Sequence, residues 1–349
     1  MSTIVLTGGG TAGHVTPHLV LIPRLEKIFD KVAYLGSNGV EKELISRFNE
    51  VDYFTINSVK LVRGKILSNL FLPFKLLKAK SQALKILKTI KPSVIFSKGG
   101  YVSVPVVLAA KKLKIPVICH ESDLSVGLAN KIGARTAKVV FTTFKKTAQT
   151  IGEKAKFSGS PIDEAAFKTS PALIKEKLKI KTDLPILLIT GGSLGSQVIN
   201  NSIFEALDEL TQNFYVIHVV GKNNVKKIAN KNYLQIEFAK NMPELIKISD
   251  VVVSRAGSNT IFELAFCLKP MLLIPLPKGA SRGDQVENAE YFASHKIANV
   301  LYQENLDKNS LINEINKTFK NQQQLVNNLK KINFKNGADA IIEELKKYK

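Results

Sequence analysis

At 349 residues, with 45% hydrophobic and 23% charged side chains, the chain is long enough for two domains with separate cores and too apolar to be disordered. No apolar run approaches the roughly 20 residues of a spanning helix; the opening MSTIVLTGGG lacks the basic and apolar regions of a signal peptide, and the two cysteines, Cys119 and Cys267, lie far apart among apolar neighbours, so an integral membrane protein and a disulfide framework are both excluded and a cytoplasmic location is expected. The formal charge of +21 calls for an acidic partner.

The first predicted strand, Ile4–Thr7, runs into Gly8-Gly9-Gly10-Thr11-Ala12-Gly13-His14 and then an apolar helix through Leu19, Ile22, Leu25 and Phe29. Gly8, Gly10 and Gly13 satisfy G-x-G-x-x-G. A dinucleotide site would also want an acid at the end of the next strand, Val32–Leu35, yet that strand ends in Gly36-Ser37. Further strands are predicted at Tyr53–Ile56, Val94–Ser97, Pro116–Cys119 and Lys138–Phe141, and their alternation with helical segments means a parallel sheet covered on both faces. The loops Lys98-Gly99-Gly100-Tyr101 and His120-Glu121-Ser122-Asp123 belong at the same sheet edge as the glycine loop. Between Asp52 and Glu121 stand thirteen Lys and Arg residues and no acid, so one face of this half is strongly positive.

Within that stretch, Leu70, Phe74, Leu77, Leu84 and Leu87 recur at helical spacing, and Lys75, Lys78, Lys85 and Lys88 follow one position on. Pro73 suits the first helical turn, which leaves Leu67–Leu72 as an apolar entry loop. Phe71, Leu72, Leu76 and Ile86 lie off the main stripe, so one buried face does not take all the apolar residues. Apolar side chains beside clustered lysines predict peripheral binding to an anionic membrane surface.

The pattern breaks around Phe157–Pro161, and a Lys-rich stretch continues to Asp183; the expected domains are therefore 1–161 and 162–349. The second half restarts with strand Ile186–Thr190, loop Gly191-Gly192-Ser193-Leu194-Gly195-Ser196 and a helix from Gln197 through Leu210. Strands Tyr215–Val219, Leu234–Phe238 and Val251–Ser254 follow. The turn Arg255-Ala256-Gly257 then opens a helix with Ser258, Asn259 and Thr260 in its first turn and Glu263 one turn in. Bare amides and small residues at a helix start suit a phosphate, and a carboxylate one turn later can accept from two adjacent ribose hydroxyls. Together they suggest a nucleoside diphosphate, although Thr260 to Glu263 also fits a capping box. Beyond strand Met271–Ile274, the polar loop Pro275–Gly283 leads into a helix opening at Asp284-Gln285, placed to meet the same ligand. The terminal helix Ala338–Tyr348 is amphipathic and able to cross back to the first domain.

Thr7–His14, Ser97–Ser103, His120-Glu121, Gly127–Lys131, Gly191–Gly195 and Arg255–Ser258 together resemble glycosyltransferase family 28 along the whole chain. The resemblance implies an α/β fold of GT-B type, two Rossmann-like parallel-sheet domains facing a central cleft, with the donor mostly on the second domain and a lipid acceptor on the first. It implies inverting transfer of N-acetylglucosamine from UDP-N-acetylglucosamine to the muramoyl C4 hydroxyl of undecaprenyl-diphospho-N-acetylmuramoyl-pentapeptide (lipid I), giving lipid II for peptidoglycan synthesis, by a peripheral protein on the cytoplasmic face of the cell membrane. Residues Ser258, Asn259, Thr260 and Glu263 would hold the UDP, with Glu263 on the ribose. Ser193 and Gln285 would contact the donor, and Thr11, Ala12 and Gly13 would complete the pocket. Three positions depart from the family pattern. Asp123 stands where asparagine is frequent and is kept as a substrate contact because it still accepts hydrogen bonds. Asp163 stands where arginine is frequent and cannot replace a cation, and Ala12 stands where glycine is frequent.

Such a transfer needs a base for the acceptor hydroxyl and something to offset charge on the departing UDP. No Asp-x-Asp pair occurs, so no metal of that kind and no cofactor are expected, and the helix dipole, backbone amides and Arg255 are left to do that work. His14 and Glu121 are the candidate bases. The competing readings are a GT-B enzyme acting on diacylglycerol, a UDP-sugar 2-epimerase, which needs no lipid surface, and a basic non-enzymatic nucleic-acid-binding protein. Against the last stand the absence of Trp, 7% aromatics and the lack of a nucleic-acid module, so no nucleic acid is expected as partner.

Overall fold

Strand β1 (Thr3–Gly8) alternates Ile4 and Leu6 on one face with Val5 on the other, and all three are fully buried. A strand buried on both faces belongs in a parallel sheet between two helical layers. The computed structural model describes residues 1–58, 71–192, 195–332 and 334–349, and the contacts within them divide the chain into one unit of Met1–Ile162 with Lys335–Lys349 and another of Asp163–Phe334.

In the first unit β1 is joined by β2 (Lys31–Gly36), β3 (Val51–Thr55), β4 (Val94–Gly99), β5 (Val117–Glu121), β6 (Val139–Thr142) and β7 (Ala155–Phe157). The sheet is parallel throughout, in the order β3-β2-β1-β4-β5-β6-β7. The chain winds outward from β1 to β3 and then crosses to β4 on the other side of β1, so the loops after β1 and β4 flank a topological switch point, where ligands of such sheets bind. One face packs Ile4, Leu6 and Phe96 against the helix Thr16–Leu25 and the C-terminal helix Ala338–Lys346, whose Ile341, Ile342 and Leu345 are buried there. The other face packs Val5, Ile95 and Val117 against the helices Leu72–Ile90 and Ser103–Leu113.

The second unit has β8 (Ile186–Thr190), β9 (Tyr215–Val219), β10 (Tyr233–Ile236), β11 (Val251–Ser254), β12 (Met271–Leu273) and β13 (Asn299–Val300), parallel in the order β10-β9-β8-β11-β12-β13. Its switch point lies between β8 and β11, so the segments that leave these two strands flank it. Leu187, Ile189, Val251 and Val253 pack on one face against Ile199, Ile203 and Leu207 of the helix Gln197–Asn213.

Several boundaries differ from the sequence expectation. β4 reaches Gly99 and β5 reaches Glu121, so Lys98, His120 and Glu121 lie on strands rather than in loops. β10 ends at Ile236, before Phe238. β7 and β13, unforeseen, are short edge strands of three and two residues with no apolar run of their own. Among the described residues no helix is long and apolar enough to cross a membrane.

Because Ile341 is fully buried on the first sheet, Ile341→Ala is expected to cost about 2–5 kcal/mol. A urea melt of the full chain reads this directly, and a loss below about 1 kcal/mol would mean that the last helix is not integral to this core.

Candidate active site

At the first switch point the backbone turns at Gly9 and Gly10, Ala12–His14 form a 3₁₀ turn, and Thr11 Oγ1 lies 2.9 Å from His14 Nδ1. Thr11 and Gly13 are exposed, and Ala12 and His14 half-buried. The loop is closed from the other side of the switch point. Gly100 has φ +76°, and a side chain there would collide with the Gly9 carbonyl and come within 3.1 Å of His14 Nδ1. Gly10, at φ +85°, is likewise shielded by the Tyr101 ring. Glu41, fully buried, ties the loop to the neighbouring strand: Gly10 N donates to Oε2 at 3.2 Å, and Ser37 N donates to Oε1 at 2.9 Å. An acid does therefore follow β2, five residues past its end, but it serves the glycine loop instead of facing a ribose.

Beneath this loop lies a buried polar cluster. Lys98, 2% exposed, donates from Nζ to His120 Nδ1 at 2.6 Å and to Ser122 Oγ. His120 Nε2–H donates to Gly159 O at 3.2 Å, which leaves the Nδ1 lone pair for the lysine. Burial holds the His120 pKa well below its ordinary value, with Lys98 adding to the effect. Burial also pulls Lys98 down to about 8, against the opposing pull of Glu121 and Asp123. Glu121 is buried and accepts from Asp123 N at 3.0 Å, Gly127 N at 2.8 Å and Asn130 Nδ2 at 3.0 Å. Both its oxygens are thus engaged in shaping the turn after β5, where Asp123 sits half-buried. Lys98 and Glu41 were not singled out from sequence. For Lys98 the signal was present, since it shares the two-residue period of Val94 and Phe96, both on the buried face of β4.

In the second unit, Gly257 caps the helix Ser258–Phe266, and a side chain built on it would meet nothing within 4 Å. Ser258 is buried; Asn259, Thr260 and Glu263 are half-buried. The helix has no side-chain cap, so Thr260 and Glu263 form no capping box. Burial alone lifts the Glu263 pKa to about 7, and among the described residues nothing hydrogen-bonds its carboxylate. Arg255 commits four of its five N–H donors: Nη2 donates to Ser196 Oγ and Gln303 Oε1, both at 2.7 Å, and Nη1 to the carbonyls of Ile274 at 3.1 Å and Pro275 at 3.3 Å. It binds three loops of the switch point together. Gln285 accepts from Leu276 N at 3.0 Å, and its helix Asp284–Ser294 is fixed to the first by Asn288 Nδ2 donating to Ala256 O at 3.2 Å and by Phe262 edge-on to Phe292. The structure thus gathers Ser258, Asn259, Thr260, Glu263 and Gln285 in one unit and Thr11, Ala12, Gly13, His14, Glu121 and Asp123 in the other. Ser193 lies outside the described residues, and Asp163 caps a 3₁₀ turn by accepting from Ala165 N at 3.1 Å.

The basic helix buries only part of its apolar residues. Ala79, Ala83 and Leu87 are its buried residues, whereas Phe71, Phe74 and Leu77 are 61%, 70% and 61% exposed. Of the predicted stripe, Leu84 packs against the core beside buried Leu87, Phe74 and Leu77 face outward, and Leu67–Leu70 lie outside the described residues. Lys75 and Lys78 line, with Ser37, Asn38, Asn57 and Ser58, a cavity of about 390 Å³.

The glycosyltransferase family 28 N-terminal domain matches residues 4–142, and the C-terminal domain of that family matches residues 186–345. A UDP-N-acetylglucosamine--N-acetylmuramyl-(pentapeptide) pyrophosphoryl-undecaprenol N-acetylglucosamine transferase of Clostridium tetani is 45% identical over 350 residues, which cover 99% of this chain and 98% of that protein. The crystal structure of Acinetobacter baumannii MurG superposes with a TM-score of 0.76 at 25% identity, covering 99% of this chain and 100% of that one. A UDP-GlcNAc 2-epimerase from Neisseria meningitidis, at 17% identity and a TM-score of 0.67 over 99% of this chain and 100% of its own, shares the fold alone.

The raised pKa of Glu263 has a consequence for stability. A carboxyl that moves from 4.5 to about 7 on folding holds an extra proton in the fold between those values, so its effect on stability is least unfavourable below pH 4.5 and grows more so as pH rises to about 7. Glu263→Gln cannot ionise and is expected to be more stable than the parent at pH 8, by up to about 3 kcal/mol, with the gap closing at acid pH. Paired urea melts at the two pH values measure it; equal stability at pH 8 would show that the carboxylate is well solvated.

Proposed function

The chain belongs to glycosyltransferase family 28, and on that footing we propose that it transfers N-acetylglucosamine from UDP-N-acetylglucosamine to the muramoyl C4 hydroxyl of undecaprenyl-diphospho-N-acetylmuramoyl-pentapeptide. The full-length relative at 45% identity is named for this donor and this acceptor, which favours the reaction over glycosylation of diacylglycerol. The observation that carries the donor assignment is Glu263: a half-buried carboxylate without a partner among the described residues, one turn beyond the uncapped start of the helix Ser258–Phe266. Adjacent ribose hydroxyls donate to such a group, and the diphosphate lies on the amides at Ser258, Asn259 and Thr260, where the helix dipole offsets its charge. Gln285, its carbonyl held by Leu276, turns its amide NH₂ to the sugar. Arg255 acts by holding the loops, where both its Nη groups are used.

His14 is the base in this reading. When Nδ1–H donates to Thr11 Oγ1, the lone pair is on Nε2, which takes the proton of the acceptor hydroxyl. Glu121, with three hydrogen bonds from the turn it shapes, positions Asp123. The acceptor comes from a bilayer, and Phe71, Phe74 and Leu77 beside Lys75 and Lys78 supply the apolar and cationic contacts of a peripheral protein on the cytoplasmic face.

The direct test is transfer of labelled sugar to a lipid-linked muramoyl-pentapeptide, with UDP-N-acetylgalactosamine as the competing donor. His14→Ala is expected to keep UDP affinity while turnover falls by about two to four orders of magnitude; unchanged turnover at saturating acceptor would remove His14 from the chemistry.

For the membrane contact, cosedimentation with anionic vesicles is expected to weaken with salt. Changing Lys75, Lys78, Lys85 and Lys88 together to Gln should largely abolish it, at about 1 kcal/mol per lysine, while UDP binding persists. Equal binding to neutral and anionic vesicles would overturn this contact.

A further inference from the structure

The least expected charge in the molecule is Lys98. It is an ammonium buried under the first switch point, and both its hydrogen-bond acceptors, His120 Nδ1 and Ser122 Oγ, are neutral. A buried lysine of this kind normally pairs with a carboxylate or loses its proton. Two carboxylates are close at hand, but among the described residues Lys98 donates to neither: Glu121 is occupied by the amides of Asp123 and Gly127 and by Asn130, and Asp123 stands on the turn that those bonds create. Because the Asp123 amide donates to the Glu121 carboxylate, the turn holds two acids within three residues, one of them buried. Like charges so placed repel, and the repulsion grows in a low dielectric.

The groups facing Lys98 are His18 from the helix Thr16–Leu25, His120 and Glu121 from β5, and Asp123 from the turn beyond. Burial and the nearby ammonium keep both histidines neutral. Lys98 is thus the cation of this cluster, and its hydroxyl and imidazole partners fix it to the very turn whose acids it offsets. We propose that Lys98 is a positioning residue for the transfer: anchored on His120 and Ser122, it supplies the charge that lets the turn after β5 carry Asp123 as an acid in its working conformation. This inference rests on the transferase reading above.

The test is the pH dependence of acceptor kcat/KM in detergent micelles. The wild type is expected to lose activity as pH rises past about 8, as the lysine discharges and the turn loses its counter-charge. Lys98→Arg stays charged through this range and is expected to lose that alkaline limb. Asp123→Asn removes the acid whose charge Lys98 offsets, so its alkaline limb should shrink to about threefold or less. At neutral pH, Lys98→Met should lower kcat/KM about tenfold or more in the wild-type background but no more than about threefold when made in the Asp123→Asn background. A residue that merely filled space would cost the same in both backgrounds. Should Lys98→Met or Lys98→Arg fail to fold, the Asp123→Asn profile decides alone: an alkaline limb as steep as in the wild type overturns the inference, as does a Lys98→Met loss of equal size in both backgrounds. A wild type inactive with these substrates would instead sink the transferase reading itself.

Discussion

The structure depends on backbone approaching backbone at the carboxyl ends of parallel strands. In the first unit the loops after β1 and β4 meet with Gly100 against the Gly9 carbonyl and the His14 imidazole, at a φ of +76° that side chains other than glycine adopt only with strain. No side chain fits in that space. The glycines therefore do more than permit turns: they bring two strand ends close enough for His14, Tyr101 and the buried Lys98 cluster to share one site. The second unit reaches a similar end differently. There an arginine side chain in the loop after β11, with four donated hydrogen bonds, ties that loop to the segments after β8, β12 and β13.

Most of the fold was legible because parallel strands are buried on both faces and read as apolar runs. Ile186–Thr190, Tyr215–Val219 and Val251–Ser254 match the observed strands residue for residue. Legibility failed where a strand stayed buried after its sequence turned polar. Lys98, His120 and Glu121 continue β4 and β5, the latter two paired to β6 and Lys98 at the register shift between β1 and β4, yet their side chains read as loop chemistry. Glu41 was missed for a related reason. Its task is to accept from Gly10 and Ser37 across a fold-dependent gap, and a partner 31 residues away leaves no local pattern. The helix start at Ser258 was legible, since small residues and a glycine cap are local features, whereas the commitment of Arg255 to four backbone and side-chain acceptors was not.

In the basic helix, periodicity alone does not say which apolar residues are buried. Phe74 and Leu77 share the helical spacing of Leu84 and Leu87, but the buried stripe is the one through Ala79, Ala83 and Leu87. Small residues at i and i+4 let the helix approach its neighbour Ser103–Leu113 closely. At about 1.5 Å per residue that neighbour is about 12 Å shorter than Leu72–Ile90, so it does not cover the whole length. The uncovered first turns are the ones that carry Phe71, Phe74 and Leu77 into solvent. Apolar exposure on this scale is retained where a second apolar phase takes it up, and the adjacent lysines match an anionic surface.

Each sheet also keeps one charged group near its switch point under conditions that disfavour its charge. Lys98 is drawn down to about 8 and Glu263 up to about 7, in both cases chiefly by burial, so both stand close to losing their charge near neutral pH. A core selected for stability alone would place neither there, since an uncompensated buried charge costs several kcal/mol. The two differ in what relieves that cost. Lys98 has protein partners that fix it in place and carboxylates within electrostatic reach, so its charge is compensated within the fold and acts on the turn around it. Glu263 has no such partner among the described residues. In the proposed donor assignment two ribose hydroxyls supply one, and such hydrogen bonds would stabilise the ionised carboxylate and lower its pKa, which links donor affinity to the proton on Glu263.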